Sequence, residues 1–148
     1  MDSLTVPAAS ILVLTLVVAT VTDLRNRVIP NWLVGFGALA GLAAAIVSGR
    51  PGQALLAGVL AATPFLAAAL IRPEGMGMGD VKLAGVIGIY LGQSVWPALA
   101  LGLGLAGLTG VLISLGRRQP PSRVALPLAP FLALGAGMML VIGGSSLQ

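Results

Sequence analysis

The sequence predicts an all-α polytopic membrane protein: a bundle of six transmembrane helices with both termini on the non-cytoplasmic side. Three observations predict it. Hydrophobic residues fill 57% of the 148 positions and charged residues only 8%, against roughly a quarter charged in soluble domains. Mean hydropathy is +1.06. The apolar residues also fall into runs approaching bilayer length, separated by charge, Gly or Pro. So much of the chain is needed for crossings that residues 1–148 read as a single transmembrane domain, with no water-soluble domain beside it.

The first run, 6–21, is too long for a signal-peptide core, and the segment before it carries Asp2 rather than Lys or Arg, so it is expected to stay attached. Further runs follow at 32–47, 54–71, 81–91, 96–115 and 126–142. The 81–91 run is shorter than the roughly 20 residues of a perpendicular span; it either extends through Gln93 and Ser94 or sits in a protein-lined position. Pro30 stops the helical tendency before it, and Asn31 is a good N-cap for the next run. The pairs Gly37 with Gly41 and Gly88 with Gly92 have the small-xxx-small spacing of helix packing contacts. Trp32 and Trp96 suit interfacial belts.

Charge then sets sidedness. Arg25, Arg27, Arg72, Arg117, Arg118 and Arg123 lie in the connections after runs one, three and five, with Lys82 just inside run four, while the other side has Arg50. By the positive-inside rule the odd-numbered connections are cytoplasmic. Asp23 ends run one and Asp80 begins run four. Two full crossings separate them, so both acids belong on the cytoplasmic face. Carboxylates at the edge of hydrocarbon are costly, which makes them functional candidates. The bland alternative is that each is solvated at headgroup level, or paired with Arg25, Arg27 or Lys82.

Several chemistries are excluded. Without Cys or His there are no disulfides, no thiol nucleophile, no imidazole base and no Cys-ligated metal site, and no cofactor or metal is expected. The net charge of +4 is scattered rather than striped, which argues against nucleic acid. Gly75-Met-Gly-Met-Gly79 lacks a following Gly-Lys-Ser/Thr and places Asp80 where a dinucleotide fingerprint needs Gly, which argues against nucleotides. Those glycines instead form a flexible segment that permits close backbone approach, and Gly75, Gly77 and Gly79 are candidates for gating or for pairing with an extended substrate. Peptide hydrolysis is left to two carboxylates sharing a proton, one activating water and the other protonating the carbonyl or leaving group. Asp23 stands at a helix end and Asp80 at a helix start, so the helix dipole suggests Asp80 as base and Asp23 as acid. Lys82, about 200° round a helix from Asp80, reads as a snorkelling anchor, or as a tuner of the site if the helix start is unwound. Glu74 is a solvated loop carboxylate or an attractor of a basic substrate segment.

The segments Thr22-Asp23-Leu-Arg-Asn-Arg-Val-Ile-Pro-Asn-Trp-Leu33 and Gly75-Met-Gly-Met-Gly-Asp80-Val-Lys-Leu-Ala84 resemble the two signature segments of the type IV prepilin peptidases, membrane aspartic proteases of the Gly-x-Gly-Asp kind. Pro127-Leu-Ala-Pro-Phe-Leu-Ala-Leu-Gly135 is similar to that family's last helix, with Ala129 where many relatives have Gly, a change expected to affect packing only. The resemblance implies that Asp23 and Asp80 are the catalytic pair, with Pro30, Asn31, Gly75, Gly77, Gly79 and Lys82 as supporting motif residues. It implies an inner-membrane enzyme that cuts a short basic leader from pilin-like or pseudopilin precursors at the cytoplasmic face. Its partners would be that precursor, with its transmembrane helix, and the lipid bilayer. Lacking Cys-x-x-Cys pairs, the chain resembles the short, peptidase-only form found with tight-adherence (Flp) pilus systems, and methyltransferase activity is not expected. The rival readings are a noncatalytic membrane subunit of a secretion or pilus assembly machine and a small proton-coupled transporter.

Overall fold

The computed structural model describes residues 6–71, 76–117 and 126–145. Among them are six α-helices and no strand: α1 (Val6–Asn26), α2 (Asn31–Val47), α3 (Pro51–Ile71), α4 (Met78–Leu91), α5 (Val95–Arg117) and α6 (Ala129–Ser145). Each predicted apolar run became one helix, lengthened at one or both ends in α1 to α5 and shifted in α6, which begins at Ala129 rather than at 126. Arg72, Glu74, Gly75, Arg118, Pro120, Pro121 and Arg123 lie outside the described residues.

The breaks between helices have local causes. Arg27 stops α1 in the left-handed region (φ 52°), its N–H donating to the Asp23 carbonyl at 2.9 Å; this is a left-handed cap made by a residue other than Gly. Pro30, with extended backbone (φ −63°, ψ 132°), is the N-cap of α2. This corrects the expectation that Asn31 caps the helix. Proline's fixed φ and missing N–H place the boundary one residue earlier, and the Pro30 carbonyl accepts from Leu33 and Val34. Asn31 is thereby freed for another contact. After Leu91 the chain makes a 3₁₀ turn over Gly92–Ser94, so the short fourth helix does not run on through Gln93 and Ser94. Gly92 adopts φ 54°, which makes it a turn residue rather than the packing residue its spacing suggested.

α4 is the axis of the bundle. Val81, Leu83, Ala84, Val86, Ile87, Gly88, Tyr90 and Leu91 are all buried, and the helix packs against α1, α2, α3, α5 and α6. A helix apolar on every side needs such enclosure. Small residues make the approach close. A Cβ on Gly88 would lie 2.6 Å from the Ala57 carbonyl oxygen, and one on Gly58 would lie 3.0 Å from the Gly85 oxygen. Gly37, as its spacing predicted, packs against Thr15 and Val86, and Gly41 against Tyr90 and Ile89. The Tyr90 hydroxyl donates to the Gly37 carbonyl at 2.9 Å, so the phenol reaches a partner inside an apolar core.

The outer faces are equally apolar. Leu14, Leu39, Leu56 and Leu108 are each more than half exposed, an outward greasy surface that water would not support and hydrocarbon would. α1, α3 and the continuous stretch Met78–Gly116 are long and apolar enough to cross a membrane, whereas α2 and α6 are apolar but shorter.

Candidate active site

Asp23 lies in the last turn of α1 and is 8% exposed. It is buried because α6 begins against it: the backbone N–H of Ala129, the first residue of α6, donates to Asp23 Oδ2 at 3.1 Å. Ala129 is fully enclosed. The donor is a backbone group that glycine would supply equally, so the contact does not depend on Ala standing at 129. The first N–H groups of a helix have no partner within it, and a carboxylate is their natural acceptor. Sequence reasoning missed the contact, although Pro127 and Pro130 flanking a helical restart mark a helix N-terminus.

Asp80 lies in the first turn of α4. Gly77, Met78, Gly79 and Asp80 occupy the N-cap and first three helical positions, so Asp80 stands where a capping-box acid would. Its backbone N–H donates to the Gly77 carbonyl at 3.1 Å, and its carboxyl group sits against the Gly77 backbone. The other oxygen, Oδ1, is buried with no hydrogen-bond partner among the described residues. Buried carboxyl oxygens without partners are uncommon and need an explanation. Thr20 Oγ1, one turn before Asp23, is in the same condition.

Asp23 and Asp80, 57 positions apart (80 minus 23), lie at the same end of the bundle: α1 packs against α4, and Ile29, just after α1, lies against Gly79, the neighbour of Asp80. Three helix ends meet here: the C-terminal turn of α1, the N-terminus of α4 and the N-terminus of α6. The helix-end argument for separate acid and base roles therefore loses its force, since Asp23 faces an N-terminal amide just as Asp80 belongs to an N-terminal turn.

The remaining motif residues surround this point. Gly77 has ordinary extended backbone (φ −75°, ψ 143°), and a Cβ there would meet Asp80 Oδ2 at an ordinary 3.5 Å. Gly79 lies within α4, where a Cβ would press on the Ile29 side chain at 3.0 Å. Neither needs a left-handed conformation. At Gly79 the requirement is close approach, and Ile29, which sequence reasoning passed over, is the neighbour imposing it. Lys82 Nζ donates to Asn31 Oδ1 at 2.8 Å, so Lys82 is held by a protein partner and does not simply snorkel. Pro30 positions Asn31 for this contact by ending the extended link at α2. Among the described residues no cluster of three or more acidic, His or Cys side chains could hold a metal ion.

Comparison with known proteins supplies a family. Residues 10–115 match the model of the type IV leader peptidase family. A prepilin leader peptidase/N-methyltransferase of Bacillus subtilis (strain 168) is 36% identical over 140 residues, which cover 88% of this chain and 53% of that protein. Proteins of the same name from Aeromonas hydrophila (29% over 152 residues; 93% of this chain, 50% of that one) and Burkholderia pseudomallei (strain 1026b) (32% over 108 residues; 73% and 34%) are also similar. The chain thus spans about half the length, or less, of these curated relatives. No solved structure matches it at a significant level. Since the family model covers well over half of its residues, the chain belongs to the type IV leader peptidase family.

Proposed function

We propose that this protein is a membrane aspartic endopeptidase that removes the short basic leader from type IV pilin-like or pseudopilin precursors, using Asp23, Asp80 and a water molecule. The observation that supports the reading is the placement of Asp23 and Asp80, from distant segments, at one end of an apolar helical bundle, in a chain of the leader peptidase family. The chemistry asks one carboxyl group to act as base and the other as acid. The ionised member takes a proton from water, and the hydroxide formed attacks the scissile carbonyl. The protonated member donates to the carbonyl oxygen, and the tetrahedral intermediate collapses as a proton passes to the departing amine. Asp80 Oδ1, a buried acceptor without a protein partner, supplies a lone pair suited to water or to the proton. The α6 amide on Asp23 orients the other carboxyl group.

In this reading all six helices cross the inner membrane, both termini are non-cytoplasmic, and the site opens on the cytoplasmic side. The support is the concentration of arginines at and beyond the C-terminal ends of α1, α3 and α5. The precursor presents its apolar helix to the bilayer-facing surface of the bundle and its basic leader to the site. The family match supports the peptidase half of the relatives' name, and we assign only that half to these residues. Co-expression with a precursor tests the function: the unaltered chain shortens it, while Asp23→Asn and Asp80→Asn each stop the shortening. A transporter would lose flux in these variants without any processing to lose. An assembly subunit would be indifferent to both changes.

A further inference from the structure

Two contacts join the connection after α1 to the start of α4, and neither involves an aspartate. Ile29, buried between α1 and α2, lies against Gly79, the residue immediately before Asp80. Two positions further along the first segment and three along the second, Asn31 Oδ1 accepts from Lys82 Nζ at 2.8 Å. The two points are thus two residues apart in one segment, Ile29 to Asn31, and three apart in the other, Gly79 to Lys82, which bracket Asp80. The first contact is apolar and enclosed. The second is polar, lies at the exposed rim, and connects residues 51 positions apart.

We propose that Asn31 and Lys82 are positioning residues: with the Ile29–Gly79 contact beneath it, their hydrogen bond forms a two-point clasp that sets the separation of Asp23 and Asp80. A single exposed bond would fix little by itself, because solvent competes for both partners. A single apolar contact would let α4 rotate about it. Together they remove that freedom, and they do so between the connection that follows Asp23 by six residues and the turn that carries Asp80. The proposal rests on the peptidase reading for its kinetic part only, since the clasp is a statement about distance. It also gives Gly79 its reason: any side chain there would wedge the enclosed contact apart.

The chain has no cysteine, so Asp23→Cys/Asp80→Cys can carry two spin labels in an otherwise unaltered, membrane-reconstituted protein. The expected interspin distance distribution is narrow, and it broadens when Lys82→Met, Asn31→Leu or Gly79→Ala is added. Lys82→Arg keeps a donor and Asn31→Asp keeps an acceptor, so these two retain the narrow distribution. In the protein with both aspartates intact, Lys82→Met and Asn31→Leu each lower kcat for leader cleavage by about tenfold with little change in KM, and the double variant is no worse than either alone. Unchanged distances in Lys82→Met and Asn31→Leu, additive kinetic losses, or equal losses in Lys82→Arg and Lys82→Met would each overturn the clasp. If the parent chain cleaved no precursor at all, the peptidase reading would fail while the distance measurement still decided this one.

Discussion

At the scale of single residues, the site is made by helix ends rather than by side-chain networks. Asp23 receives a backbone amide and Asp80 leans on a backbone turn, so the two acids need few other polar residues, which is how a bundle this poor in polar groups can hold them. Arg27 shows the cost of ending α1 just beyond Asp23. Its φ of 52° places a side chain in a region that disfavours L-residues by roughly 1–2 kcal/mol, partly offset in any Gly replacement by chain entropy. Arg27→Gly is therefore expected to raise stability by about 0.5–1 kcal/mol, read as a higher unfolding midpoint in detergent; a lower midpoint would mean that the arginine makes a stabilising contact worth more than the strain. The two aspartates, Pro30, Asn31, Gly77, Gly79 and Lys82 were legible in the sequence as candidates. Their contacts were not. The Lys82–Asn31 bond depends on where α2 begins, and that boundary moved by one residue because proline, not asparagine, caps the helix. The Ala129 amide was invisible because a backbone donor leaves no mark on residue identity.

At the scale of helices, glycine does two different jobs that spacing alone does not separate. Gly88 is a packing surface: a methyl group there would sit 2.6 Å from the Ala57 oxygen and 2.8 Å from Gly58 Cα, both backbone atoms that cannot swing aside. Gly104, on α5, has open space around its Cβ direction. Gly88→Ala should cost about 1–3 kcal/mol by overpacking, whereas Gly104→Ala should gain about 0.5–1 kcal/mol through helix propensity and lower unfolded-state entropy. Equilibrium unfolding of the two variants in the same detergent checks both signs. The existence of each helix was legible, because each apolar run is bounded by residues that stop helices for local reasons, while boundaries moved by up to a few residues. What could not be read was which helix lies at the centre. All six are apolar, and the burial of α4 on every side follows from tertiary packing of Gly58, Gly85 and Gly88, which a sequence period does not report.

At the scale of the whole molecule, the account places one end of the bundle in the cytoplasm and gathers the chemistry there. Sidedness rests on the arginines and is tested in the membrane. Val28→Cys, in the exposed link after α1, should react with a membrane-impermeant thiol reagent only from the cytoplasmic side, and Ser48→Cys, in the exposed link after α2, only from the opposite side. Labelling of both from one side would break the parity on which the shared face of the acids depends. The family relation and the apolar outer surface fit a membrane protein. The most direct measurement is cleavage of a purified pilin-like precursor by the purified protein in proteoliposomes, with the cut site read by mass spectrometry. The account predicts a single cut that releases the basic leader, abolished to background by Asp23→Asn and by Asp80→Asn alike, with both variants still folded. Undiminished cleavage in either variant would contradict it.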